Sequence, residues 1–106
     1  MDKHDNLIGG EWVSADAYGE NRNPSNRDEV IGLYAQGSAA DAERAVEAAQ
    51  AAAPGWADAT PQARHDLLEA VGRKLAERSQ EIGRLLSREE GKTLAEGIGE
   101  TLRAAQ

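Results

Sequence analysis

The hydrophobic period changes once along this chain, at Ser38, and that change limits what each side can fold into. Before it, residues 6 to 36 set short apolar pieces between turn residues. After it, apolar residues recur at the spacing of an amphipathic helix face. Leu7-Ile8, Gly9-Gly10 and Trp12-Val13 predict a hairpin, because paired glycines admit the positive φ that a tight two-residue turn demands. Residues 14 to 20 read as loop. A second extended piece runs through Asn21-Arg22-Asn23, since Pro24 keeps its predecessor out of the helical region. Turn residues follow, and then Val30-Ile31-Gly32-Leu33-Tyr34 supplies β-formers for a third strand.

Beyond the switch, polar punctuation marks three helical stretches. Ser38 with Asp41 is a capping-box pair, and Ala42, Ala45, Val46 and Ala49 line one face of a helix from 39 to a stop near 53, at Pro54-Gly55. Thr60 followed by Pro61 is a cap with proline at the first helical position, opening a helix over 61 to 90 with a break or kink near Ser79. Its stripe is Leu67, Leu68, Val71 and Leu75, continued by Ile82, Leu85 and Leu86 up to Gly91, the expected left-handed terminal residue. Thr93 with Glu96 opens a last helix over 94 to 106, with Leu94, Ile98, Leu102 and Ala105 on one face. Gly97 and Gly99 cost that helix about 1 kcal/mol each relative to alanine, and without a stop signal before Gln106 it is expected to fray when free.

A core for 106 residues must come from large apolar side chains, and here they are scarce: no Phe, two Trp, two Tyr and one Met. Alanine makes up much of the 40% hydrophobic fraction. At roughly 25 cal/mol per Å² of buried apolar surface, alanine-rich helices gain little from one another and more from a larger partner. The net charge of −7 is spread along the helices, with no basic stripe for a nucleic-acid backbone. No apolar run reaches the length of a membrane span and no leader-like apolar region follows Met1, so a soluble, cytoplasmic protein is expected.

Candidate chemistry is sparse. With no cysteine, the chain has neither a thiol nucleophile nor a thiolate metal site. His4 lies in a terminus expected to fray, and His65 sits beside Asp66 in the first turns of a helix as a surface residue. Gly97-Ile98-Gly99 fails as a dinucleotide fingerprint, because the third glycine would fall at Leu102 and no strand precedes it. Gly9-Gly10 reads as a turn, since no helix N-terminus follows to bind a phosphate. Glu89 and Glu90 point about 100° apart on a helix and form no carboxylate pair. Trp12 and Trp56 are expected to pack as apolar anchors, Trp12 over the strands and Trp56 at the inter-helix corner.

Residues 88 to 100, REEGKTLAEGIGE, join a helix exit, a Gly-Lys turn and a helix entry. Together with residues 6 to 13 (NLIGGEWV), Asn23-Pro24-Ser25 and the closing Leu102-Arg-Ala-Ala-Gln106, this stretch resembles the N-terminal region of the aldehyde dehydrogenase superfamily, and most closely its α-ketoglutaric semialdehyde dehydrogenases. The resemblance implies an α/β fold of Rossmann type. Residues 1 to 106 would form the N-terminal portion of the NAD(P)-binding domain, with catalytic and oligomerisation domains outside this chain. It further implies oxidation of an aldehyde to a carboxylate, of α-ketoglutaric semialdehyde to α-ketoglutarate in particular, with NAD or NADP, in an enzyme that assembles as a dimer or tetramer.

The thiol nucleophile, the base and the nucleotide-gripping residues of that family have no counterparts here, so no catalytic or cofactor-binding residue carries over. In some members a structural monovalent cation is held by a carbonyl before the Asn-Pro pair and a carboxylate two residues before the Gly-Lys turn. Those positions are Arg22 and Glu89. An oxygen-only donor set suits a hard cation. Alternatives stay open: another semialdehyde or aldehyde dehydrogenase of the superfamily, a helical interaction module whose stripes bind a partner helix, or an inactive structural piece. The 106 residues alone are expected to be inactive.

Overall fold

A computed structural model describes all of residues 1–106. Five strands precede four helices: β1 (Lys3–His4), β2 (Asn6–Ile8), β3 (Glu11–Val13), β4 (Tyr18–Arg22), β5 (Val30–Ala35), α1 (Ala39–Asp58), α2 (Pro61–Glu77), α3 (Ser79–Glu90) and α4 (Leu94–Ala104). They form two compact units. One is Met1–Asn21 with Val30–Ala59, and the other is Arg22–Glu29 with Thr60–Gln106.

In the first unit the expected hairpin forms, with β2 antiparallel to β3 and Leu7 opposite Trp12. Gly9 and Gly10 take φ of 59° and 82°, the positive pair that a two-residue turn matched to strand twist requires. A separate sheet has the order β1-β5-β4. Its first strand corrects the expectation of a frayed terminus. Lys3 and His4 pair in parallel with Leu33 and Tyr34, and the His4 ring stacks on Tyr34 at 4.7 Å between centroids. The loop expected over 14 to 20 is also shorter than that, because β4 begins at Tyr18. The Tyr18 hydroxyl donates to Asp5 Oδ1 at 2.5 Å and the Lys3 ammonium lies 4.8 Å from the Tyr18 ring centroid.

The capping box at Ser38 and Asp41 forms as read, but α1 runs through Pro54 to Asp58 rather than stopping near 53. Proline removes one helical hydrogen bond, leaving the Gln50 carbonyl without its partner. Residues 49 to 58 are exposed, so water can take that carbonyl and the helix continues. It ends where Ala59 turns extended and its N–H donates to the Trp56 carbonyl at 3.2 Å.

In the second unit the Thr60 hydroxyl accepts from the Ala63 N–H and Pro61 sits in the first turn. The expected break falls at Arg78, whose φ of −100° and ψ of 14° leave the helical region between α2 and α3. Gly91 has φ of 76° and closes α3, and the Thr93–Glu96 capping box opens α4. α4 stops at Ala104, two residues short of the 94 to 106 expected, as the Ala105 N–H collects the last carbonyls.

Gly97 is more than a weak point in its helix. A Cβ there would lie 2.3 Å from the Gly83 carbonyl oxygen, and a Cβ on Gly83 would lie 2.6 Å from Ile98 Cα. Backbone therefore meets backbone between α3 and α4, a contact only glycine permits. Within α4 the buried Thr101 hydroxyl donates to the Gly97 carbonyl at 2.9 Å.

No apolar side chain of the chain is buried; the buried polar ones are Asn23, Ser79 and Thr101. Trp12 and Trp56, expected as packed anchors, are 70% and 46% exposed. Leu67, Leu68 and Val71 of the α2 stripe are exposed as well. The amphipathic faces read from the sequence exist, and within this chain they lack the bulk to cover one another.

Candidate functional site

Polar order concentrates where Arg22–Glu29 meets the turn between α3 and α4, all within the second unit. Asn23 organises the loop. Its N–H donates to the Glu29 carbonyl at 3.1 Å and its carbonyl accepts from the Asn26 N–H at 3.2 Å. Its side-chain oxygen accepts from the Ser25 N–H at 2.9 Å, the local turn that asparagine before proline favours. Buried Asn23 also donates through Nδ2 to Glu29 Oε2 at 2.8 Å.

Glu29 then reaches across to α3. Its other oxygen accepts from Arg88 Nε at 2.6 Å, a pair separated by 59 residues of sequence. The hydrogen bond from Asn23 and then the Arg88 guanidinium hold the Glu29 carboxyl below the ordinary glutamate range.

The Gly-Lys turn is fixed from the other side. Ser25 Oγ donates to the Gly91 carbonyl at 3.3 Å, and a Cβ on Gly91 would lie 2.8 Å from that hydroxyl and 2.9 Å from Pro24 Cγ. Glycine at 91 thus serves both the left-handed φ and the close approach of the Pro24-Ser25 pair. Ser87 Oγ donates to the Lys92 carbonyl at 2.6 Å. Lys92 Nζ lies 2.7 Å from both Glu100 oxygens and 2.5 Å from Glu90, and these carboxylates, Glu100 first, raise its pKa.

The two residues singled out for a cation stand at this junction. Arg22 ends β4, with Nη1 donating to the Arg27 carbonyl at 3.0 Å, and Glu89 is exposed in the last turn of α3, outside the ion pairs just described. Sequence reading missed Glu29 and Arg88, because a pair so far apart leaves no mark on local period or capping.

Elsewhere the chemistry is ordinary. His65, Asp66 and Glu69 offer atoms within 4.8 Å of one another, all exposed. Asp66 already accepts from Gln62 at 2.7 Å on the same helix face, as an exposed polar face does. Neither glycine pair fits a dinucleotide. Gly97 is filled by the Gly83 backbone inside α4, and Gly9-Gly10 leads into β3 rather than into a helix N-terminus.

Known proteins share the sequence pattern and the fold of this chain. The sequence profile of the aldehyde dehydrogenase family matches residues 12–106. An α-ketoglutarate semialdehyde dehydrogenase of Haloferax volcanii is 38% identical over 97% of this chain and 22% of its own length. A 3-sulfolactaldehyde dehydrogenase of Pseudomonas putida is 42% identical over 92% of this chain and 20% of its own. The crystal structure of an NAD-dependent aldehyde dehydrogenase from Sinorhizobium meliloti superposes with a TM-score of 0.92 at 29% identity, over 98% of this chain and 22% of that one. The chain thus spans about a fifth of the length of the curated relatives it matches.

Proposed function

This chain belongs to the aldehyde dehydrogenase family, and on that premise we propose that residues 1–106 form the N-terminal portion of the NAD(P)-binding domain of an enzyme that oxidises α-ketoglutaric semialdehyde to α-ketoglutarate. Its short strands and following helices have the α/β arrangement of the N-terminal part of that fold. The observation that carries the scaffold role is the absence of any buried apolar side chain beside exposed Leu67, Leu68, Val71, Trp12 and Trp56. An amphipathic face of that kind gains its stability from a covering layer. In this reading the layer is the remainder of the cofactor and catalytic domains.

The chemistry divides accordingly. NAD or NADP, when bound, accepts the hydride, and the nucleophile that first attacks the aldehyde is a thiolate that this cysteine-free segment does not supply. The segment's own contribution is positional. We propose that the Arg22 carbonyl and the Glu89 carboxylate together seat a structural monovalent cation. A neutral carbonyl and a carboxylate outside every neighbouring ion pair suit such an ion. Assembly as a dimer or tetramer and a cytoplasmic location belong to the same proposal; no helix here is long and apolar enough to cross a membrane.

The substrate assignment draws support from residues 88 to 100 and from the Haloferax volcanii relative. The Pseudomonas putida relative favours a second reading, an aldehyde bearing a sulfonate in place of a carboxylate. Steady-state kinetics of the complete enzyme on both aldehydes separates the two. The proposal expects kcat/KM at least about tenfold higher for α-ketoglutaric semialdehyde, the discrimination that one well-placed polar contact provides. A preference for 3-sulfolactaldehyde overturns it.

A further inference from the structure

We propose that Glu29 is a positioning residue: it sets the spacing between the Arg22 carbonyl and the Glu89 carboxylate and so governs how tightly that pair holds a hard monovalent cation. This rests on the cation reading given above. The carboxylate of Glu29 divides its oxygens between Asn23 at 2.8 Å and Arg88 at 2.6 Å. Those partners are the chain neighbours of Arg22 and Glu89.

The first contact acts on the Arg22 carbonyl through peptide geometry. That carbonyl and the Asn23 N–H belong to one trans peptide plane and point in opposite directions. Since the Asn23 N–H donates to the Glu29 carbonyl at 3.1 Å, the Arg22 carbonyl is aimed away from the loop interior. The Glu29 N–H in turn donates to Asn26 at 2.9 Å, so the loop is closed on itself and resists rotation of that plane.

The second contact fixes α3. Arg88 immediately precedes Glu89, and its guanidinium is held by the same carboxylate that holds Asn23. Both Glu29 oxygens face N–H donors and its charge is balanced by Arg88. It is therefore suited to fixing ligands rather than to being one. Residues that orient ligands in this way typically change metal affinity about 10- to 100-fold when replaced.

The test is a thermal-shift titration of the complete enzyme with KCl against choline chloride at constant ionic strength. Glu29→Gln puts an amide nitrogen against either Asn23 Nδ2 or Arg88 Nε, donor against donor. The double variant Asn23→Asp with Glu29→Gln restores both contacts, because the new amide donates to the new carboxylate and accepts from Arg88. Wild type should show a saturable rise in melting temperature with K⁺ but not with choline. Glu29→Gln should raise the half-saturating K⁺ concentration at least about tenfold, and the double variant should recover most of that loss. A Glu29→Gln enzyme that melts lower without cation but keeps the wild-type half-saturation makes Glu29 a plain structural tie and overturns the proposal. A wild type with no K⁺ response overturns the cation reading itself, and the role of Glu29 with it. If Glu29→Gln fails to fold, the double variant decides: half-saturation far from wild type overturns the proposal.

Discussion

Both α1 and α4 open on a capping box, Ser38 with Asp41 in one and Thr93 with Glu96 in the other, yet the two helices are held in different ways. α1 has 20 residues and buries none of them. α4 has 11 and buries Gly97 and Thr101, with Gly97 against the Gly83 main chain of α3. In proteins most of a helix's stability comes from packing of its apolar face rather than from propensity. Length and propensity therefore do not make an element self-sufficient. What anchors α4 is a pair of glycines that lets two backbones touch, whereas α1 has no such contact and leaves Val46 and Trp56 exposed.

The most severe way to break that comparison is to isolate the 106 residues. Hydrophobic faces without a cover should leave a state that binds a hydrophobic dye and melts without a sharp calorimetric transition. A two-state transition with no dye binding would mean that α1 needs no outside surface.

Next in size is Gly97→Ala. The new methyl would lie 2.3 Å from the Gly83 carbonyl, so overpacking should outweigh the helix-propensity gain and cost about 2 to 3 kcal/mol in urea denaturation. A neutral result would show that α3 and α4 approach less closely than described.

Ser38→Ala removes the hydroxyl that accepts from the Asp41 N–H at 3.1 Å and should cost about 1 kcal/mol. Its effect on α1 hydrogen exchange should be local, since no buried side chain ties α1 to a core. Gly99→Ala sharpens the contrast within α4. Nothing lies within 4 Å of a Cβ there, so the variant should gain about 0.5 to 1 kcal/mol where its neighbour at 97 loses.

The smallest effect is read by pH. Glu29 is held below the ordinary glutamate range by Asn23 and Arg88, so its contribution is present above the unfolded-state pKa and lost as pH falls through the lower folded value. The stability gap between wild type and Glu29→Gln should therefore be full at neutral pH, begin to shrink at about pH 4.3 and close as pH falls through the lower folded value. A gap that persists at lower pH would contradict the depressed pKa.

Local chemistry made most element boundaries legible. Caps at Ser38, Thr60 and Thr93, proline at 61 and left-handed Gly91 each act on backbone groups within one turn, so the sequence alone carries them. The Gly9-Gly10 turn is read for the same reason. Family membership was legible too, because residues 88 to 100 combine three such signals at fixed spacing. Other features depended on partners distant in the chain. The pairing of Lys3–His4 with β5 joins residues about 30 apart, and Glu29 with Arg88 lies 59 apart, so no window of a helical turn or a strand pair records either. The run of α1 through Pro54 followed from solvent around the freed carbonyl. The use of Gly97 followed from a backbone in another helix. Sequence by itself determined where the four helices start and which face of each is apolar, since those choices are made among near neighbours. Only the tertiary structure decided which faces meet and which stay open, because that depends on what each face encounters in space.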